Sequence, residues 1–232
     1  MSHGTLSQGY MDHSSNEHMD VKKMRKLNIT RKKHLEMVLQ QIPSHRSPKV
    51  HLEQYTTPAD IAADVLWNAY SLGDIKDKKV VELGCGTGIF AVGAALLGAR
   101  EVVGVDVDPD AVETARMQAS KMNLGEVKFI SGDVQSFSQS ADTVIQNPPF
   151  GAQKAGMKNA DRIFMKKAIE TAPVVYSFHI RETEEFVEQF FGSLNGRVTS
   201  KFHYSFPIPK IYDFHQKEKV NVDVVVLRVE RN

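Results

Sequence analysis

Apolar residues recur along this chain with two periods that take turns. Short Val- and Ile-rich runs at residues 79–83, 101–107, 127–131, 142–146 and 173–178 predict strands. Between them, helical spacing predicts helices over 90–97, 109–122 and 161–171. A further helix over 182–191 precedes two β-like runs at 197–205 and 220–228. This alternation predicts an α/β fold, a doubly wound, mostly parallel seven-stranded sheet with helices on both faces. Ligands in such folds lie beyond the carboxyl ends of the strands, so the chemistry is to be sought there.

Upstream of the first strand, Leu35, Val38, Leu39 and Ile42 fall at helical spacing within residues 30–42. Pro43 and Pro48 then punctuate a loop. Thr57-Pro58-Ala59-Asp60 reads as a helix start: a capping threonine, proline at the first helical position, and an acid three residues after the cap. Ile61, Val65, Leu66 and Ala69 supply its apolar face, and Gly73 ends it. Residues 1–20 are rich in Ser, His, Gly and Met without periodicity, and read as a disordered tail or a non-native appended segment. The expected organisation is that tail over 1–20, a basic N-terminal helical arm over 21–50, and one domain over 51–232.

The length of 232 residues, 41% hydrophobic and 25% charged, suits a single domain with a proper core. With 29 Lys+Arg against 28 Asp+Glu, the formal charge of +1 excludes a globally basic nucleic-acid-binding chain. The balance is uneven, however. Residues 1–20 hold three acids and no Lys or Arg, so the remainder carries 29 basic against 25 acidic residues, a net +4. Seven of the basic residues fall within 21–34, which has no acid. The single cysteine, Cys85, excludes a disulfide framework and a Cys-rich zinc site, so a reducing compartment and no bound metal are expected. The longest apolar run, 89–97, is about half the roughly 20 residues of a spanning helix, and no signal peptide is evident. A cytoplasmic protein with no membrane partner is the expectation.

The first strand runs into Glu82-Leu83-Gly84-Cys85-Gly86-Thr87-Gly88-Ile89, a glycine loop that opens a helix. Alternate glycines permit positive φ and let a ligand lie against bare backbone. A dinucleotide fold wants G-x-G-x-x-G to seat a pyrophosphate. Here the spacing is G-x-G-x-G, which resembles the first motif of class I S-adenosylmethionine-dependent methyltransferases. About 20 residues on, Asp106 ends the second strand, placed to accept hydrogen bonds from two ribose hydroxyls. Asp108, directly before Pro109, fits a helix cap instead. At the end of the third strand Asp133 overlooks the same crevice; in the resembling enzymes an acid there accepts from the cofactor's adenine amino group. Two roles are open to Glu82: orienting the loop or the cofactor's ammonium, or simply bonding the loop amides.

The fourth strand ends in Asn147-Pro148-Pro149-Phe150. Successive prolines stiffen the backbone and remove two donors, leaving nearby carbonyls as acceptors. A residue before proline is pushed to extended geometry, which presents the Asn147 side chain from the strand end. Such acceptors suit a planar amino group: bonds to the Asn147 oxygen and the Pro148 carbonyl favour a pyramidal nitrogen and developing positive charge. The freed lone pair can attack a methyl group in line, without a dedicated general base. Phe150 can stack on the target ring, and a base inside a helix has to be flipped out to reach it. The tetrapeptide resembles the [DNS]-P-P-[YFW] signature of amino-methyltransferases acting on adenine N6, cytosine N4 or glutamine amide.

These motifs, together with His51-Leu52-Glu53-Gln54-Tyr55-Thr56-Thr57-Pro58, Val175-Tyr176-Ser177-Phe178-His179 and Phe214-His215-Gln216-Lys217, resemble the methyltransferase-like protein 5 family and its archaeal relatives. The resemblance covers residues 24–228. It implies a class I, Rossmann-like methyltransferase that places N6-methyladenosine in small-subunit ribosomal RNA, converting S-adenosylmethionine to S-adenosylhomocysteine. By position it implies cofactor contacts from Gln54, Thr57, Glu82, Gly84, Gly86, Thr87, Gly88, Ile89, Asp106, Asp133 and Val134. Asn147, Pro148, Pro149 and Phe150 are the implied catalytic pocket. Thr87 stands where animal members have a second cysteine, while archaeal-like sequences also have Thr. Several members need a small zinc-binding activator protein that covers an exposed sheet edge.

For RNA contact the basic candidates are the cluster at 22–33, the loop at 154–162 with Lys154 and Lys158, and the late His215, Lys217 and Lys219. Local patches suffice for phosphate contact without a high overall charge. Each is also readable as an ordinary solvated face, the loop beside the pocket less so, and His179 as either a substrate contact or a strand-end residue. Trp67 and Cys85 read as packing residues. Three other functions compete: a glutamine-amide methyltransferase of a translation release factor, a DNA adenine-N6 methyltransferase, and a cofactor-binding scaffold without activity. The glutamine enzymes usually carry Tyr in place of Phe150 and a separate helical domain. A DNA enzyme would want a target-recognition domain, and a scaffold has no use for the Asn147 pocket.

Overall fold

Every predicted strand and helix forms, most with ends displaced by one to three residues. The computed structural model describes residues 29–45, 48–49, 52–150, 160–209 and 219–232. Helix α1 spans Lys32–Leu39 and α2 Ala59–Ser71; β1 is Lys79–Leu83, α3 Ile89–Leu96, β2 Glu101–Asp106, α4 Pro109–Lys121 and β3 Val127–Ser131. Then follow β4 at Thr143–Gln146, α5 at Ala160–Thr171, β5 at Val174–Ile180, α6 at Glu184–Ser193, β6 at Gly196–Pro209 and β7 at Lys219–Arg231.

The seven strands form one sheet in the order β3-β2-β1-β4-β5-β7-β6. Strands β1 to β5 pair in parallel, and β7 runs antiparallel between β5 and β6. The chain winds outward from β1 in one direction and from β4 in the other. The crevice beyond their adjoining ends is where such a sheet binds ligands. This is the doubly wound, mostly parallel sheet that the alternation of periods predicts, in the architecture that the motif resemblance implies.

Parallel strands are apolar on both faces because both faces are covered. Val80, Val102, Ile145, Tyr176 and Val226 pack toward α1–α4 with Leu35, Leu66, Phe90 and Val112. Their neighbours Val81, Val103, Val144, Val175 and Leu227 point the other way, onto Met165 of α5 and Phe191 of α6. Leu35, Val38, Leu39 and Ile42 are all buried in the first of these layers, so the helix of the basic arm shares the main core. Lys32 ties it further, 2.5 Å from Asp64 of α2. Among the described residues, no helix is long and apolar enough to cross a membrane.

Two local expectations are revised. Helix α2 starts at Ala59 with Pro58 in the capping position, and no side chain caps it. Thr57 is close by, but its hydroxyl accepts from Asn147 Nδ2 at 3.1 Å. The last two strands also run longer than their apolar patterns suggest, through Pro207 and Pro209, because β6 ends the sheet and its outer side donates to no ladder.

A buried ion pair closes the antiparallel half onto the rest. Arg228 of β7 donates to both oxygens of Asp74 at 2.8 and 3.1 Å, and the Tyr176 hydroxyl adds a 2.6 Å bond. Arg228 also donates to Glu230 Oε1 at 2.6 Å. Removing Asp74 therefore leaves it one partly exposed partner in place of a buried bidentate one, a loss of at most the roughly 3–5 kcal/mol of a broken buried pair. Asp74→Ala should lower unfolding free energy by up to that amount, as read by urea denaturation. A change below about 1 kcal/mol would make the pair equivalent to a surface ion pair.

Candidate functional site

At the end of β1 the backbone turns sharply enough to need three left-handed residues in five: Gly84 (φ 69°), Gly86 (φ 50°) and Gly88 (φ 84°). Gly88 has a second reason to lack a side chain, since a Cβ there would stand 2.8 Å from the Phe129 ring. Gly84 N and Cys85 N both donate to Val105 O at 2.8 and 3.0 Å, binding the turn to β2. Glu82 fixes its far side. Its carboxylate accepts from Ala91 N at 2.7 Å and Phe90 N at 3.4 Å, amides of the first turn of α3 that have no partner within the helix. Glu82 thus bonds the helix start just beyond the loop and also lines the cavity. Burial pushes its pKa up from 4.5 to about 8.

Asp106 holds the loop from the next strand, accepting from Gly86 N at 2.7 Å through one oxygen and Asp108 N at 2.9 Å through the other. Each oxygen keeps a second lone pair for a ligand, and burial raises this carboxyl too. Asp108 caps α4 as expected, accepting from Asp110 N at 3.1 Å behind Pro109. It also anchors the incoming segment: Lys49 Nζ lies 2.6 Å and Gln54 Nε2 2.7 Å away. Gln54 Oε1 in turn accepts from Lys49 N at 2.8 Å.

A cavity of about 270 Å³ opens beyond these strand ends. Gln54, Thr57, Glu82, Gly84, Gly86, Thr87, Ile89, Asp106, Asp133, Val134, Asn147 and Pro149 all line it. Of the expected site residues within the described range, Gly88, Pro148 and Phe150 do not. Gly88 instead begins α3, Pro148 is buried, and Phe150 stacks on Tyr55 with ring centroids 5.3 Å apart. Gln54 lines the cavity, its Oε1 accepting from Lys49 N and its Nε2 donating to Asp108, with one further hydrogen-bonding position left at each end. Asp133 is exposed there and caps a short turn by accepting from Gln135 N at 2.9 Å. The expected RNA-contacting residues Lys154, Lys158, His215 and Lys217 lie outside the described residues.

Asn147 carries the most telling geometry. Its Nδ2 donates to Thr57 Oγ1, which fixes the carboxamide plane. Its Oδ1 is buried and, among the described residues, has no hydrogen-bond partner. A carbonyl oxygen held this way, at the edge of a cavity, is an acceptor prepared for a ligand's N–H.

Among the lining residues that escaped the sequence reading are His45, Val107 and Tyr55. His45 sits over the glycine loop, where a Gly86 Cβ would stand 3.0 Å from its Nε2, and burial lowers its pKa. No sequence signal separates it from its proline-punctuated loop. Val107 is 56% exposed, an apolar wall whose place just past a strand end could have marked it. Tyr55 lines the same cavity as Asn147, hidden in the motif that supplied Gln54 and Thr57. Of the two readings of His179, the structure supports the internal one. It is buried, its Nε2 lies 2.6 Å from Ser177 Oγ, which accepts from Gln146 Nε2, and burial lowers its pKa to about 3.

Sheet order, glycine turn and paired strand-end carboxylates define a class I methyltransferase. A model of the methyltransferase small domain matches residues 56–172. The Methanocaldococcus jannaschii protein MJ0284 is 39% identical over 88% of this chain and 95% of its own. The Danio rerio rRNA N(6)-adenosine-methyltransferase METTL5 is 34% identical over 84% of this chain and 97% of its own. Among solved structures, Pyrococcus horikoshii PH1948 matches with a TM-score of 0.81 and 42% identity, covering 87% of this chain and 98% of that one. The chain belongs to the methyltransferase small domain family, in the group that contains METTL5 and its archaeal relatives.

Burial of Glu82 has a measurable consequence. Its folded pKa lies above its ordinary value, so the folded state holds an extra proton between about pH 4.5 and 8. Stability from this group is complete below that window and is lost as pH rises through it. Glu82→Gln keeps an acceptor for Ala91 N but cannot ionise. Its unfolding free energy should fall less steeply from pH 5 to 8 than that of the wild type; parallel profiles would mean Glu82 is ionised throughout.

Proposed function

We propose that this methyltransferase transfers the methyl group of S-adenosylmethionine to the N6 amino group of an adenosine in small-subunit ribosomal RNA. The observation that carries this reading is the buried, unpartnered oxygen of Asn147, clamped by Thr57 at the rim of the cavity. An acceptor of that kind suits an exocyclic amino group and is of no use to a scaffold.

The cavity's chemistry fits the cofactor. Asp106 has spare acceptor capacity for ribose hydroxyls, and Asp133 has it for an adenine amino group. Val107 and Val134 give an apolar lining for a flat ring, and the glycine turn leaves bare backbone beside it. When bound, the cofactor supplies an electrophilic methyl group on a sulfonium sulfur and leaves as S-adenosylhomocysteine. The protein's own part is to hold and polarise the acceptor nitrogen. Asn147 Oδ1 draws one amino hydrogen, which favours a pyramidal nitrogen and stabilises the charge it gains on alkylation. Pro149 keeps the backbone behind Asn147 rigid, so this acceptor is in place before the substrate arrives.

The name of the zebrafish relative supports ribosomal RNA as substrate. A zinc-binding activator protein, which the family resemblance implies, would find an open sheet edge at β3, where Ile130 is exposed.

Incubation with labelled cofactor and separate rRNA, DNA and protein fractions tests the reading, with mass spectrometry identifying the labelled nucleoside. The expected product is N6-methyladenosine in small-subunit rRNA. Label in a release-factor glutamine or in DNA would replace it. Asn147→Ala should lower kcat by roughly 10²–10³-fold while the calorimetric Kd for S-adenosylmethionine stays within about twofold. Retained activity would reduce the tetrapeptide to a structural turn.

A further inference from the structure

Tyr55 has a polar atom that the functions above leave unused. Its ring is held by two others, stacked on Phe150 at 5.3 Å with planes 25° apart and edge-on to Phe206 at 5.5 Å. Its hydroxyl is buried and, among the described residues, has no hydrogen-bond partner. A phenylalanine would fill the same space without burying an unpaired polar group, which ordinarily destabilises the folded state. Asn147 Oδ1 is in the same condition, and both residues line one cavity.

The two orphaned atoms are complementary in kind. The carboxamide oxygen can only accept, whereas the phenol can donate. A flat ligand that satisfies both presents an amino group next to an acceptor nitrogen along one edge. Adenine offers that pair as its exocyclic amino group and N1, the edge by which flipped bases are read. Guanine and uracil present a carbonyl oxygen and an N–H instead, which would set oxygen against Asn147 Oδ1. Cytosine shares adenine's polarity, so the hydroxyl selects amino-bearing bases and ring size does the rest.

We propose that Tyr55 is a specificity-determining residue, its hydroxyl donating to N1 of the adenosine whose amino group bonds Asn147. This rests on the adenosine-N6 reading above. A bond to N1 exists before transfer and during it, so it strengthens RNA binding without accelerating the chemical step.

The test compares the wild-type protein with Tyr55→Phe, which removes one oxygen and keeps the ring stack. The probe is a small-subunit rRNA fragment that the wild type methylates, made with adenosine or 1-deazaadenosine at the target. For the variant, KM for the adenosine fragment should rise about five- to tenfold, with kcat within about twofold. Cofactor affinity should be unchanged, and Tm should not fall, since an unpaired buried hydroxyl has been removed. Replacing N1 should raise KM for the wild type by a similar factor and leave the variant unaffected. An unchanged KM for Tyr55→Phe, or equal sensitivity of both proteins to the deaza substitution, overturns the assignment. Failure of the wild type to form N6-methyladenosine in any RNA overturns the adenosine reading itself, and this assignment with it.

Discussion

The cavity exists because the chain doubles back at the end of β1 and stays there, and Glu82 is the side chain that holds it. A helix start normally leaves its first amides to water or to a cap. Here those of α3 are buried, and no side chain caps the helix at Gly88. The carboxylate of the strand that feeds the loop therefore reaches past it to Ala91 and Phe90. This joins strand and helix across the turn, so that the glycines between them can be spent on bare, ligand-facing backbone. An acid there is costly to ionise, as its raised pKa records, and the fold tolerates it because the amides would be costlier unpaired.

A second constraint joins parts of the chain that lie far apart in sequence. Thr57 precedes α2, and Asn147 ends β4, yet a hydrogen bond between them sets the plane of the Asn147 carboxamide. The same N-terminal segment reaches the other side of the cavity through Lys49 and Gln54, both bonded to Asp108. Asp108 itself caps α4. One segment thus touches the tips of β2 and β4 at once. The packing of Leu35, Leu39 and Ile42 into the main core fixes where that segment begins.

How much of this was legible in the sequence depends on range. The sheet and its covering helices were readable, because period and burial are local and both faces of each strand are covered. The glycine loop, Asp106, Asp133 and Asn147 were readable because each sits at a strand end at a spacing that the chemistry demands. The roles of Thr57 and Gln54 were less so. Thr57 looks like a cap in its tetrapeptide, and only the fold brings Asn147 to its hydroxyl. Gln54 lines the cavity, but its bonds to Lys49 and Asp108, which fix its carboxamide, could not be read from the sequence. His45 was invisible for the same reason, since nothing in a proline-flanked loop announces that it will lie on Gly86.

Polar atoms left unpaired point the same way as the carboxylates. Among the described residues, the buried side-chain atoms without a partner include Tyr55 Oη, Gln146 Oε1 and Asn147 Oδ1. Two of these belong to successive residues at the tip of β4, and Tyr55 lines the cavity with Asn147. Protein interiors rarely leave such atoms unpaired; a fourth, His34 Nδ1, lies apart on α1, and these three belong to the β4 tip and the cavity wall. Gln146 and Asn147 point to opposite faces, as neighbours on a strand do. Gln146 bonds Ser177 on β5, bracing the strand end from beneath. Asn147 is braced from above by Thr57, so its carboxamide is fixed while its oxygen stays free. A rigid frame around an unsatisfied acceptor is the arrangement a transfer to nitrogen requires, because the acceptor loses nothing to reorganisation when charge develops. The near-neutral charge of the chain is then no obstacle to a nucleic-acid substrate. Paired cations such as Lys32, Lys49 and Lys201 stabilise the fold locally, and discrimination falls to the fixed polar atoms around a single base.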